Sequence, residues 1–150
     1  VLLPDGSVFV AGGGHSPDYC RERDGTYEIY KPPYFFKGPR PVITDAPDEV
    51  AYESVFTVDY DSATPVTKVR LIRLGAATHS FDQNTRLVEL DFTTVPIPGI
   101  NRIRCVAPTH GGIAPPGHYM LFICTDPAGT TQHGSIPSVS KIIRVYKAPT

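Results

Sequence analysis

Turn residues recur at short, nearly regular intervals along this chain, and that punctuation leaves little room for a long helix. Sixteen Pro and thirteen Gly break helices, while eight Tyr and seven Phe suit pleated, half-buried surfaces. The runs between the breaks alternate apolar and polar residues with the two-residue period of strands. Val69, Leu71 and Arg73 alternate with Arg70, Ile72 and Leu74, whereas Tyr119-Met120-Leu121-Phe122-Ile123 is continuously apolar, as in a central strand covered on both faces. Candidate strands are Val42–Ala46, Val55–Tyr60, Lys68–Leu74, Thr85–Phe92, Asn101–Ala107, Gly117–Thr125 and Ser138–Val145, with Glu49–Tyr52 as a short extra one. About seven strands in the last two thirds of the chain predict an all-β, Ig-like β-sandwich.

The first forty residues read differently. Leu2-Leu3-Pro4-Asp5-Gly6-Ser7-Val8-Phe9-Val10 is a hairpin with a Pro-Asp-Gly turn, and Thr26-Tyr27-Glu28-Ile29-Tyr30 is a further strand. The glycines Gly12, Gly13 and Gly14 lack the Lys-Ser/Thr and the following helix that a phosphate-binding loop requires. Residues 31–42 carry four prolines and form an ordered linker between two units, 1–38 and 39–150. The chain opens without Met in what reads as the middle of a strand, which suggests a piece of a larger polypeptide. Two or three strands are marginal alone, so the first unit must lean on the sandwich or on chain outside these residues.

Fourteen basic against fifteen acidic residues give a net charge of -1, which offers no electrostatic footprint for nucleic acid or anionic lipid. No apolar run is long enough to span a membrane. Three cysteines are too few for a disulfide scaffold. Cys105 and Cys124 lie in apolar strands, either as small buried hydrophobes or joined to each other, and Cys20 falls in a polar stretch. Asp45, Asp48, Asp59 and Asp61 read as turn caps. Neither a nucleophile signature nor a carboxylate pair suited to glycoside hydrolysis is present.

Of the five histidines, His15, His79, His110, His118 and His133, no pair has zinc-finger spacing. The loop from Gly111 to Gly117 separates His110 from His118 and would let them meet, but without a thiolate or carboxylate they make a poor closed site. His79, in Gly75-Ala76-Ala77-Thr78-His79-Ser80-Phe81-Asp82-Gln83, follows an apolar strand and falls at the sandwich rim, where loops present sites. On its own, such a histidine is either solvated or a ligand.

The same residues form an ordered series: Leu2-Leu3-Pro4-Asp5-Gly6, then Glu28-Ile29-Tyr30-Lys31-Pro32-Pro33-Tyr34-Phe35-Phe36, Arg40-Pro41, Leu71-Ile72-Arg73, Ala77-Thr78-His79-Ser80, Gln83 and Arg86, Ala114-Pro115-Pro116-Gly117-His118-Tyr119-Met120-Leu121-Phe122, and Ile136-Pro137-Ser138-Val139-Ser140. Across nearly the whole chain this series resembles the C-terminal end of the galactose oxidase and glyoxal oxidase family of copper radical oxidases. The resemblance implies that residues 1–38 are the remnant of the last blade of a kelch-like β-propeller plus a linker, and that 39–150 are an Ig-like early-set sandwich. It implies that His79 is a copper ligand delivered by a sandwich loop. A Tyr-His pair and a cross-linked Tyr-Cys pair complete the family's site and are not matched here, and Cys20 does not align with the cross-linked cysteine. A complete relative would oxidise a primary alcohol or an aldehyde hydrate and release hydrogen peroxide; this chain alone would be catalytically silent and bind copper weakly at best. The implied partners are the upstream propeller of the same parent and a carbohydrate or small alcohol or aldehyde substrate, and the implied location is extracellular. The competing reading is a noncatalytic structural or carbohydrate-binding module, in which Tyr19, Tyr27, Tyr34 and Tyr52 offer aromatic surfaces to sugar rings.

Overall fold

Alternation along the chain resolves into two largely antiparallel sheets packed face to face in a computed structural model that describes residues 1–12, 26–126 and 134–149. One sheet orders β10 (Phe92–Ile97), β11 (Ile100–Val106), β5 (Val55–Asp61) and β3 (Val42–Asp45). The other orders β4 (Glu49–Ala51), β14 (Lys141–Tyr146), β12 (Gly117–Thr125), β6 (Val66–Arg73) and β9 (Leu87–Leu90), with β13 (Ile136–Pro137) paired to β12; β4 joins β14 in parallel. Ile123, Val69 and Leu90 form one rung across β12, β6 and β9, and Leu121, Leu71 and Val88 form the next. They face Val58, Phe56, Ile103 and Cys105 of the opposite sheet, and all are buried in one core.

Three expectations need correction. Thr85–Phe92 is not one strand, because the chain changes sheets at Asp91: β9 lies in the larger sheet and β10 at the edge of the smaller. Pro96 is accommodated in β10 because an edge strand needs only one row of ladder hydrogen bonds. Residues 138–140 do not begin the last strand, since their polar groups serve other partners. Ser138 N donates to Ile123 O at 2.8 Å and its Oγ accepts from Ile123 N, while Ser140 N reaches Pro4 O at 2.9 Å. The aspartates are not uniformly turn caps. Asp59, within β5, holds Arg102 of β11 in a bidentate pair at 2.5 and 2.7 Å, which keeps its carboxyl below the usual range, and Asp48 pairs with Lys141 at 2.6 Å. The division of Thr85–Phe92, the short β4 expected at Glu49–Tyr52 and the two-residue β13 bring the two sheets to ten strands among the described residues.

At the start of β12 the buried Tyr119 donates its hydroxyl to Pro115 O at 2.7 Å, pinning the turn that leads into the strand. This is the tyrosine corner of Ig-like sandwiches, and the Pro-x-Gly-x-Tyr spacing announces it. Replacing Tyr119 with Phe keeps the packing and orphans the carbonyl. The expected loss is about 1–2 kcal/mol, read as a lower melting temperature with unchanged strand content.

β12 is covered on both faces, as its unbroken apolar run predicts. Met120, Phe122 and Cys124 point away from the sandwich core yet are at most 3% exposed. The N-terminal unit lies against this face: its Leu2, Gly6 and Tyr34 line, with Phe122, Cys124 and Pro137 of the larger sheet, a cavity of about 210 Å³. This unit pairs β1 (Val8–Ala11) with β2 (Tyr27–Tyr30). Its turn places Pro4 and Asp5 centrally, closes Gly6 N to Leu3 O at 2.8 Å, and sets Gly6 at φ +86°, the left-handed position that glycine fills without strain. Residues Pro33–Phe36 form a short 3-10 helix, from which the Tyr34 hydroxyl donates to Gly6 O. Arg40 ties the layers together, donating to Asp5 O (2.6 Å), Pro137 O (2.7 Å) and Ser138 O (2.6 Å) while lying over the Phe35 ring.

Candidate functional site

Beyond β6 the chain leaves the sheet and makes a small hairpin of its own, β7 (Ala77–Thr78) and β8 (Phe81–Asp82), with Thr78 opposite Phe81. His79 and Ser80 form its two-residue loop. Their φ values of 53° and 59° are the paired left-handed conformations of a type I′ turn, which Asn-Gly or Gly-Gly ordinarily supplies. A non-glycine residue held there stores on the order of 1 kcal/mol of strain, a cost commonly met where a side chain must be aimed.

The base of the hairpin is firm where its tip is exposed. Asp82 Oδ1 accepts from Ala76 N (2.9 Å) and Asn84 N (3.0 Å), and these two amides hold the Asp82 carboxyl below its ordinary range. Asn84 donates to Leu74 O at 3.2 Å, and Arg86 fastens the returning chain to Gly112 O (3.1 Å) and Ile113 O (2.7 Å). Gly75 leaves no room for a side chain, since a Cβ would stand 2.9 Å from Asp82 Oδ2 and 3.0 Å from Val1 Cγ1. Gly75→Ala is therefore expected to swing the carboxylate off its amides and cost the hairpin about 1–2 kcal/mol locally. Amide exchange checks this: Ala76 and Asn84 should exchange about tenfold faster while β12 keeps its protection.

His79 is exposed, and its Nδ1 lies 2.8 Å from Thr78 Oγ1. Phe81 beside it is also exposed, at 62%. The imidazole is thus outside the sandwich interior, with Nε2 directed to no described partner. The other candidates do not join it. His110 Nδ1 accepts from Gly112 N at 3.1 Å, and His118 is exposed on β12. No group of three or more His, Cys, Asp or Glu is placed to hold a metal among the described residues. One histidine fits one arm of a copper site through its free imidazole nitrogen, but not a complete site. Cys105 and Cys124 are free rather than joined: Cys105 faces the sandwich core and Cys124 the opposite face of the larger sheet, and burial raises their thiols to about 12 and about 11. Of the tyrosines considered for sugar contact, Tyr34 and Tyr52 spend their hydroxyls on Gly6 O and Ala114 O and are only half-exposed. Tyr27 is exposed and stacks on Phe9, so these three form no open aromatic row. His15, Tyr19, Cys20 and His133 lie outside the described residues.

Sequence reasoning did not single out Thr78, Gly75 or Asp82. Asp82 left a signal, because an Asp whose side chain bonds the amide two residues on is a familiar turn device. Thr78 left none, since its meaning depends on the fold of the turn beside it.

Sheets, corner and rim define an Ig-like sandwich module that presents one imidazole to solvent on a strained, anchored hairpin. Residues 40–145 match the family described as galactose oxidase-like, early set domain, and the chain belongs to that family. It is 39% identical over 135 residues to an aldehyde oxidase, GLOX, of Vitis pseudoreticulata, covering 81% of this chain and 25% of that protein. It is 34% identical over 151 residues to a galactose oxidase of Gibberella zeae, covering 97% of this chain and 20% of that protein. A solved fungal alcohol oxidase of the AA5 family, in complex with copper, superposes with a TM-score of 0.76 at 27% identity, covering 96% of this chain and 29% of that one. The chain thus spans about a fifth to a quarter of the length of these curated relatives.

Proposed function

We propose that these residues are the C-terminal part of a larger copper radical oxidase of the galactose oxidase and glyoxal oxidase type, and that the sandwich contributes His79 as one copper ligand. The observation carrying this reading is the hairpin: a left-handed two-residue loop, anchored at its base, holds an unburied imidazole at its tip. The exposed Phe81 supports it, because an apolar ring beside the ligand calls for surroundings from elsewhere in the protein. Bound copper would supply the one-electron redox centre for oxidising an alcohol or aldehyde hydrate at dioxygen's expense. The chain's own residues hold the imidazole: Asp82, Asn84 and Arg86 fix the hairpin's root, and Gly75 lets that root close.

Residues 1–38 belong, in this proposal, to the end of an upstream propeller. Val10, Tyr27, Ile29 and Tyr30 of β1 and β2 are half or more exposed, as suits strands made to lie beside others. Secretion goes with this reading.

The test compares the full-length protein with the 150 residues alone. The full-length protein is expected to bind one copper tightly and to release hydrogen peroxide with galactose or glyoxal. The isolated residues are expected to do neither; tight one-to-one copper or oxidase turnover on them alone would overturn the proposal.

A further inference from the structure

The feature of the rim that the copper reading leaves unexplained is the contact inside the turn. Thr78 Oγ1 lies 2.8 Å from His79 Nδ1, although the two residues are chain neighbours and both are solvent-exposed. Exposed polar side chains are under no pressure to pair with each other when water is at hand. Here the pair forms at the turn itself, where His79 has a φ of 53° and the β-branched Thr78 has few rotamers with which to meet the ring.

A hydroxyl accepts or donates, and an imidazole nitrogen does either according to tautomer. If Nε2 takes a metal, Nδ1 must carry the ring proton and donate it. A fixed acceptor on Nδ1 therefore decides which nitrogen faces outward and in what plane the ring lies. Asp82 is committed to the backbone amides of Ala76 and Asn84, so Thr78 is the only acceptor the structure places at this nitrogen among the described residues.

We propose that Thr78 is a positioning residue for His79: its hydroxyl accepts the Nδ1 proton, fixes the tautomer and ring plane, and so presents Nε2 to the metal. This rests on the reading of His79 as a copper ligand, and the test separates the two. Outer partners of ligating histidines commonly carry 10–100-fold in metal affinity.

In the full-length protein loaded with Cu(II), Thr78→Val removes the hydroxyl while keeping the branched shape, and Thr78→Ser restores it. Affinity is read by chelator competition, and the state of the non-coordinated ring nitrogen by pulsed electron paramagnetic resonance, whose quadrupole coupling responds to the hydrogen bond that nitrogen makes. Thr78→Val is expected to bind Cu(II) about 10–100-fold more weakly and to shift that coupling, with the melting temperature of the metal-free protein unchanged; Thr78→Ser is expected to restore both. If His79→Ala removes one imidazole signal while Thr78→Val changes neither affinity nor coupling, or if Thr78→Ser fails to restore them, the role of Thr78 is wrong and the ligand stands. If His79→Ala leaves the imidazole signals and affinity untouched, the ligand reading itself falls.

Discussion

Replacing His79 with Ala in the full-length protein is expected to weaken copper binding by about two orders of magnitude or more and to abolish oxidase turnover, without lowering stability. The copper estimate follows from position: an outer partner is worth 10–100-fold, so a direct ligand is worth at least the upper end of that range. The stability half follows from exposure and backbone. His79 packs on no core residue, and its φ of 53° is strained for any residue with a Cβ. His79→Gly relieves about 1–2 kcal/mol of that strain and adds about 0.4–1 kcal/mol of freedom to the unfolded chain, so the metal-free protein should gain between zero and about 1.6 kcal/mol. A ligand held at the expense of its own fold is thereby distinguished from a structural histidine, whose removal lowers the melting point. Calorimetry of the metal-free variants with copper titration of the same samples decides it. A melting point lowered by several degrees with copper retained would contradict both halves.

Arg40→Ala is expected to destabilise the fold strongly although the side chain lies outside the sandwich core. Its guanidinium donates to three main-chain carbonyls from two distant parts of the chain and lies 4.8 Å from the Phe35 ring centroid. Hydrogen bonds from a charged donor contribute about 1.5–3 kcal/mol each, but they are not additive and the site is partly open, so a loss of about 2–4 kcal/mol is expected. For a chain of this length that lowers the melting temperature by roughly 5–15 °C. Arg40→Lys should recover less than half, because a single ammonium cannot fan its donors across carbonyls arrayed for a planar fork. The cover over β12 should loosen while the sandwich core stays closed. In native Arg40→Ala, alkylation followed by peptide mapping should therefore find Cys124 more reactive and Cys105 unchanged. Equal labelling of both would mean that Arg40 supports the whole fold rather than this layer.

Much of the architecture is legible in local residue patterns. Alternation in Val69–Arg73 and the unbroken run Tyr119–Ile123 identify a half-buried strand and a doubly covered one, and Pro4-Asp5-Gly6 specifies its own turn. The placement of His79 at the rim is also readable, because an apolar strand ends just before it. What escaped local reading depends on partners far along the chain. Thr85–Phe92 looks like one strand until Asp91 sends Leu87–Leu90 and Phe92–Ile97 to different sheets, and Ser138–Ser140 look like strand until Arg40, Ile123 and Pro4 claim their backbone groups.

The sequence alone therefore determined the strand-rich class and which histidine stands at an edge, since two-residue periodicity and turn chemistry are properties of neighbouring residues. Tertiary structure decided that the N-terminal unit covers β12, that the two buried cysteines face opposite ways, and that Thr78 meets the His79 ring. Each of these depends on backbone direction or on residues nearly a hundred positions apart, as Arg40 is from Pro137, and packing alone brings them together.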